Sequence, residues 1–153
     1  MRWKTPIGAD VKINFDAAFN LNQARSGSGV VARNALGEVL ASKIVIHRRV
    51  PTLFTMEACA CFQTLLLEEQ LALDSVVIEG DSRMTIKKCE SDSLEKSIIG
   101  SIIRDIQHYK HHFRRISFNH IPRLENCLAH TLAIEGLRKG EDLYLERGLP
   151  EFF

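Results

Sequence analysis

Three acidic residues stand at positions where secondary structure gives no complete reason for a carboxylate. Asp16 follows Phe15 near the end of a predicted strand, Glu57 opens a predicted helix, and Asp81 directly follows a short apolar run. Carboxylates held close together repel each other, and a proton or a cation relieves that repulsion. Hard divalent ions take oxygen ligands of this kind and share them with substrate phosphates. The three acids therefore predict a divalent metal site, provided that the fold brings them together.

Two of these acids also have a purely structural explanation. The helix dipole would favour Glu57 in the first turn of its helix. Asp81 could act as the N-cap of the short helix that follows it. Asp16 has no such role, because it caps nothing and is costly to bury without a partner.

Hydrophobic periodicity predicts the elements that would position these acids. Val, Ile and Phe at alternate positions indicate strands, whereas apolar residues at helical spacing indicate amphipathic helices. Strands are predicted at residues 12–19, 30–32, 39–46, 75–79 and 115–120, and helices at 56–73, 82–89, 93–108 and 124–137. Residues 20–29, rich in Asn, Ser and Gly, are predicted to form a turn. The first strand is expected to bury one face, with Ile13 and Phe15 on it.

The order of these elements predicts an α/β fold with one mixed sheet flanked by helices. The sheet is expected to have five strands, three antiparallel and two parallel, because short turns join the first three. If the first and fourth strands are neighbours, Asp16 and Asp81 emerge side by side at the edge where ligand sites gather. Residues 1–10 are predicted as a lead-in or linker, 11–140 as the domain and 141–153 as a C-terminal tail.

Five short motifs in this order resemble those of a known family. They are KINFDAAF (12–19), SGVVARNALG (28–37), MEACA (56–60), IEGDS (78–82) and FNHIPRLENCLAHTLA (118–133). Together they resemble the ribonuclease H-like domains of plants, which occur alone or at the end of reverse transcriptases of non-LTR retroelements. The resemblance covers roughly residues 11–137 and implies the three-layer ribonuclease H-like fold.

The resemblance implies a metal-dependent endonuclease that hydrolyses the RNA strand of RNA–DNA hybrids with two Mg²⁺ ions. Asp16 would then bridge both ions, and Glu57 and Asp81 would hold the ion nearer the leaving oxygen. Two ions roughly 3.5–4 Å apart clamp the attacking and leaving oxygens of an in-line displacement. A 3′–5′ exonuclease of related fold is a weaker alternative, because it would usually show a second acid two residues after Asp16, where this chain has Ala18.

One position departs from the family pattern. Active members usually carry a fourth acid four residues after an asparagine at the start of the last helix. Here the asparagine is Asn126 and the residue four positions later is His130. Imidazole suits Mn²⁺ better than Mg²⁺ as a ligand. Three outcomes stay open: an enzyme that prefers Mn²⁺, a slow enzyme, or a catalytically dead domain that binds nucleic acid or protein. His130 could also be an ordinary helix residue facing solvent.

Further residues are candidates for the substrate groove. His120 matches a histidine that some members keep in a mobile loop for product release or water positioning, although it could simply be a strand-end histidine in solvent. Ser82 and Arg83 lie at a helix N-terminus, where backbone contacts with phosphate are favourable. Arg123 and Asn126 are spaced to reach the groove, and an asparagine can bond a phosphate or a 2′-hydroxyl.

Composition limits the remaining possibilities. The chain has 153 residues and a net charge of +1, so binding of an RNA–DNA hybrid would depend on local patches. His108, His111 and His112 lie at helical spacing near basic residues, and form either a metal-binding face or, more simply, a solvated helix end. Four cysteines without a C-x-x-C pair predict a reducing compartment, nuclear or cytoplasmic, and the absence of a long apolar run predicts no membrane contact. A monomer is also expected. It could be part of, or derived from, a reverse transcriptase polypeptide.

Overall fold

The computed structural model describes residues 10–48, 53–73, 75–90, 106 and 115–151. The described strands are β1 (Val11–Asn20), β2 (Arg25–Arg33), β3 (Val39–Arg48), β4 (Ser75–Gly80), β5 (Arg115–His120) and β6 (Leu143–Glu146). The described α-helices are α1 (Leu53–Leu71), α2 (Arg83–Glu90) and α3 (Cys127–Lys139), with short 3₁₀ turns at Leu21–Gln23 and Arg123–Glu125. Most of the helix predicted at 93–108 lies outside the described residues, as do His108, His111 and His112. Only Ile106 is described there, and it is helical and buried.

The strands form one mixed sheet in the order β5-β4-β1-β2-β3-β6. Strand β1 runs antiparallel to β2 and parallel to β4, and β5 extends the parallel part. The α/β fold class with a mixed sheet is confirmed. The parallel pairing of β1 with β4 places the ends of these two strands at one edge of the sheet.

The predicted number of strands is wrong, because the described part of the chain forms six strands instead of five. The sixth, β6, comes from the segment interpreted as a C-terminal tail, and its residues pair antiparallel with Ala41–Ile44 of β3. Asp142 also accepts a hydrogen bond from the Ile46 backbone N–H at 2.8 Å, which fixes the start of this strand. Four residues are too few for a periodic pattern, so β6 depends on the free edge of β3, a tertiary feature.

Strand β2 begins at Arg25, so the predicted turn over residues 20–29 is wrong for its second half. Gly27 and Gly29 face α3 across the sheet surface. A Cβ atom on Gly27 would lie only 2.8 Å from the Ala133 carbonyl oxygen, and one on Gly29 would overlap the Ala129 carbonyl oxygen. The glycines are therefore needed for close helix–sheet packing in a strand, although their composition resembles that of a turn.

Helices cover both faces of the sheet. Helices α1 and α2 pack on one face around a large apolar core, whose fully buried members include Ile13, Phe15, Val30, Leu65 and Ile78. Helix α3 packs on the other face, where its Ala129 and Leu132 contact Val31 of β2 and Ile44 of β3.

Strand β1 is consequently buried on both sides, which contradicts the prediction of a single buried face. Asn14 and Asp16 have no exposed surface, as is also true of Ile13 and Phe15 on the opposite face. The polar face of β1 lies under α3 and the segment that leads into it. Among the helices described, none combines the length and the apolar character that crossing a bilayer requires.

Candidate active site

Asp16 lies on the α3 side of β1, opposite Gly29 of β2. Its carboxylate has no exposed surface. One oxygen, Oδ2, lies 2.6 Å from Nδ1 of His130, and within the described part of the chain the other oxygen, Oδ1, is buried without a hydrogen-bond partner. A buried carboxylate with one unpaired oxygen is costly unless something else binds it.

Asp81 and Glu57 converge on Asp16 from two other elements. Asp81 directly follows β4, the parallel neighbour of β1, and Glu57 projects from α1. One carboxylate oxygen from each of the three residues lies within 4.8 Å of the other two. The structure thus brings together the three acids that the sequence analysis singled out.

The structural explanations considered for two of these acids do not hold in the folded chain. Helix α1 begins at Leu53, earlier than predicted, so Glu57 lies beyond the first turn, where the helix dipole has its main effect. The N-cap of α2 is Ser82, whose Oγ accepts a hydrogen bond from the Thr85 backbone N–H at 3.4 Å. Asp81 is therefore not needed as a cap, and its carboxylate is directed to the acidic cluster.

The electrostatics of this cluster favour a cation. Burial, followed by the charge of Asp81, raises the pKa of Asp16 above its ordinary value. Burial, followed by the charges of Asp16 and Asp81, raises the pKa of Glu57 to about 8. In the described structure, Oε2 of Glu57 is buried without a hydrogen-bond partner, as is Oδ1 of Asp16. Unpaired carboxylate oxygens at this spacing fit a hard divalent ion such as Mg²⁺ or Mn²⁺.

His130 lies in the first turns of α3 with 28% of its side chain exposed. Its Nδ1 is hydrogen-bonded to Asp16, and neither ring nitrogen of His130 joins the group of ligand atoms that the three described acids form. When Asp16 is ionised its carboxylate can only accept, and Nδ1 of His130 is then the donor of this hydrogen bond. The histidine therefore contacts the central acid in this structure.

Asn126, which the sequence analysis proposed as a substrate contact, points into the protein and is only 1% exposed. Its Nδ2 donates to the Phe15 carbonyl oxygen at 2.8 Å and to Asp81 Oδ2 at 3.3 Å. The side chain therefore links the start of α3 to the ends of β1 and β4. Through its hydrogen bond to Asp81, Asn126 orients one member of the acid cluster.

Three other predicted contact residues lie at the surface around the site. Arg123 has 63% of its side chain exposed, and its Nε lies 3.9 Å from Oδ2 of Asp81. Arg83 and His120 are exposed and, with Lys87, line an open groove of ≈ 620 Å³ between α2 and the end of β5. Cationic and imidazole groups thus lie beside the acids, as a polyanionic ligand would require. The hydroxyl of Ser82, by contrast, is occupied in capping α2.

A second set of polar residues, buried or partly buried, lies beneath the acids and was not predicted from the sequence. Lys12 and Asn14 on β1, Arg33 on β2 and Glu79 on β4 interact with one another on the α3 side of the sheet. The alternation of Lys12, Asn14 and Asp16 along β1 was visible, but it was interpreted as a solvent-facing pattern. Two-sided burial of β1 is what turns these residues into an internal network.

Comparison with known proteins adds the family. A family model described as reverse transcriptase-like matches residues 14–136, most of the chain and the whole acid site. The chain belongs to the reverse transcriptase-like family. Among curated proteins, no relative of the sequence was found.

Solved structures share the fold. RNase H1 from the halophilic archaeon Halobacterium salinarum superposes with a TM-score of 0.77 at 23% identity, covering 85% of this chain and 98% of that one. The N-terminal RNase H domain of a Mycobacterium tuberculosis protein gives 0.76 at 22% identity, covering 86% and 96%. LC11-RNase H1, solved in complex with an RNA/DNA hybrid, gives 0.75 at 22% identity, covering 85% and 98%. The chain therefore has the ribonuclease H-like fold.

Proposed function

We propose that this chain is a metal-dependent endonuclease that hydrolyses the RNA strand of RNA–DNA hybrids. The observation that carries the proposal is the convergence of Asp16, Glu57 and Asp81, whose carboxylate oxygens lie within 4.8 Å of one another. The substrate class is supported by the family and by a fold shared with several RNase H structures, one of them bound to an RNA/DNA hybrid.

Asp16, Glu57 and Asp81 would hold the divalent ions, two Mg²⁺ or Mn²⁺. Such ions, when bound, activate the attacking water and stabilise the charge that develops on the leaving oxygen. The chain contributes orientation: Asp16 and Asp81 are fixed by adjacent strands, and Glu57 by the helix packed on them. Their oxygens are desolvated before the substrate arrives, so little reorganisation is needed on binding.

His130 replaces the fourth acid of the family pattern. Its hydrogen bond to Asp16 orients this carboxylate and leaves Nε2 as the ring atom with which His130 can act on a ligand or on water. Because imidazole is a better ligand for Mn²⁺ than for Mg²⁺, we expect faster cleavage in Mn²⁺.

The exposed residues around the acids would bind the substrate backbone. Arg123, whose Nε lies 3.9 Å from Asp81, would contact a phosphate, as would Arg83 and His120 on the neighbouring groove. Ser82 stays a predicted contact through its backbone, and Asn126 acts mainly by orienting Asp81. Phosphate contacts of this kind weaken as the salt concentration rises.

The finer predictions go beyond the family and the fold. We infer a domain of the plant type, predicted over residues 11–140 and extended by β6 at Leu143–Glu146, either free-standing or derived from a reverse transcriptase polypeptide, with residues 1–10 as a linker. We further expect a monomer in the nucleus or the cytoplasm.

A strand-resolved cleavage assay tests the proposal. An RNA strand labelled at its 5′ end is annealed to DNA or to RNA and incubated with the protein in Mg²⁺ or in Mn²⁺. We expect internal cuts in the RNA of the hybrid only, and none with Asp16→Asn. An intact hybrid in both metals, or equal cutting by Asp16→Asn, contradicts the proposal.

A second function is favoured by one observation. The 2.6 Å contact between His130 and Asp16 occupies an oxygen that an active site would offer to metal. The domain could therefore be catalytically dead and bind nucleic acid or protein. If the wild-type protein binds the hybrid without cutting it in either metal, and His130→Asp restores cutting, this second function is the correct one.

A further inference from the structure

A buried polar network lies directly beneath the acid cluster, and Asn14 is its centre. Asn14 has no exposed surface. Its Oδ1 accepts a hydrogen bond from a guanidinium nitrogen of Arg33 at 3.0 Å, and its Nδ2 donates to Glu79 Oε1 at 3.1 Å and to Asn126 Oδ1 at 3.3 Å. The side-chain amide of Asn14 thus connects β2, β4 and the start of α3.

Strand register explains why these residues meet. Lys12 of β1 lies opposite Arg33 of β2, and Asn14 of β1 lies beside Glu79 of β4. All four side chains are therefore on the same face of the sheet, where Lys12 also forms an ion pair with Glu79 at 3.2 Å. Among the described residues, the charged members of this network are Lys12, Arg33 and Glu79.

The network reaches the acids through Asn126. The Oδ1 of Asn126 accepts from Asn14, so its Nδ2 must face the other way, toward the Phe15 carbonyl oxygen and Asp81 Oδ2. An unbroken chain of hydrogen bonds consequently runs from Arg33 through two amides to Asp81.

Arg33 supplies the donor at the start of this chain, and the acceptors Glu79 and the Phe15 carbonyl oxygen favour the same amide orientations. An asparagine amide can be turned over to exchange its oxygen and nitrogen, whereas arginine has donors only. Arg33 therefore requires the oxygen of Asn14 to face β2, which turns the Asn14 nitrogen toward Asn126. This in turn favours the nitrogen of Asn126 on the side of Asp81, where the Phe15 carbonyl oxygen also accepts from it. Burial lowers the pKa of Arg33 to about 10, so the side chain remains charged at neutral pH.

We infer that Arg33 is a positioning residue that sets the orientation of the Asn14 and Asn126 amides and thereby holds the Asp81 carboxylate ready to bind a divalent ion. The expected effect of Arg33 on cleavage rests on the proposed function, whereas its effect on the orientation of the two amides does not. Residues that orient metal ligands in this way typically contribute roughly 10–100-fold to metal affinity or activity.

A matched pair of substitutions tests the role of Arg33. Arg33→Met removes the donor, and Arg25→Met makes the same change on the same face at the other end of β2. In Arg33→Met we expect a Mn²⁺ affinity weakened by about 10-fold or more, and a kcat lowered with little change in KM. We also expect faster solvent exchange of the Asn126 side-chain NH₂, measured by ¹⁵N NMR without metal. Arg33→Lys should recover part of each effect, and Arg25→Met should show none.

The same experiments separate this inference from the proposed nuclease. If the wild-type protein cuts no hybrid or binds no Mn²⁺, but Arg33→Met still speeds Asn126 exchange, the nuclease proposal fails and the amide relay stands. If Arg33→Met alters only stability, and the exchange of Asn126 matches that of Arg25→Met, the relay is refuted.

A second variant decides the question if Arg33→Met does not fold. Asn14→Asp keeps an acceptor for Arg33 but, when ionised, cannot donate to Asn126. We expect it to speed the exchange of the Asn126 NH₂ as Arg33→Met would. Unchanged exchange in Asn14→Asp would overturn the inference.

Discussion

Two glutamates near opposite ends of helix α1 have different neighbours around their carboxyl groups. Glu57 lies among Asp16 and Asp81, whereas both oxygens of Glu68 are buried with no hydrogen-bond partner in the described part of the chain. The pKa of each is raised to about 8, but for different reasons. For Glu57 the cause is burial followed by two neighbouring carboxylates, and for Glu68 it is burial alone.

The two glutamates differ in what would offset the cost of burying their negative charge. Two or more carboxylates facing one gap can be neutralised together by a divalent ion, and the pKa shift of Glu57 would then disappear. A single carboxyl whose pKa is raised by burial alone is relieved by keeping its proton. A strongly raised pKa is thus not enough to mark a functional site, and the neighbouring acids are what distinguish Glu57.

Paired substitutions give the largest expected difference. Glu57→Gln should lower hybrid cleavage by more than roughly 100-fold, above the loss expected when only an orienting residue is removed. Glu68→Gln should leave cleavage within about twofold, because the residue lies about 16 Å further along the helix axis. Initial rates on a labelled hybrid measure both. Equal losses in the two variants would mean that α1 acts only as a scaffold.

For the pH dependence of stability, in contrast to cleavage, we expect the larger effect from substitution of Glu68. The pKa of Glu68 is about 8 in the folded chain against an ordinary value of 4.5, so the folded state binds its proton more tightly. Its contribution to the free energy of unfolding is therefore fully present below pH 4.5 and is lost as the pH rises to about 8, by roughly 2–4 kcal/mol. Glu68→Gln should lack this loss.

Denaturant unfolding of both proteins between pH 5 and pH 8, with EDTA present, measures this effect. The exposed neighbour Glu69 supplies the control, since Glu69→Gln should follow the wild-type curve. A constant difference between wild type and Glu68→Gln across this range would show that the Glu68 carboxyl does not change its charge there.

Metal-dependent stabilisation gives the smallest expected difference. An ion that binds only the folded state at 100 times its Kd stabilises it by about 2.7 kcal/mol. We expect Mn²⁺ to raise the melting temperature of the wild type and of Glu68→Gln, and to have little effect on Glu57→Gln. A similar rise in all three proteins would place the bound ion elsewhere.

The sequence predicted the acid cluster because each acid was expected near the end or start of an element. Asp16 follows Phe15 and lies on the polar face of the first strand, and Asp81 follows a β-branched run, so a mixed sheet with β1 beside β4 brings them together. The resemblance to a known family added His130 and the order of the motifs. Pattern and order were sufficient here because the site lies at the edge of the sheet.

The parts that sequence could not predict depend on tertiary packing. Ser26–Gly29 has the composition of a turn, and only the approach of α3 makes it a strand. Strand β6 requires the free edge of β3. Asn14 looked like a solvent-facing residue because its partner Arg33 comes from another strand and its cover comes from the segment before α3.

Direct measurement of metal binding tests the central claim, that three acids from separate segments form one divalent-cation site. Isothermal titration of Mn²⁺ into the metal-free protein is compared for wild type, Asp16→Asn and Glu68→Gln. We expect saturable binding to wild type and to Glu68→Gln, and loss of binding in Asp16→Asn. Identical binding curves for wild type and Asp16→Asn, or no binding to the wild-type protein, would contradict the account.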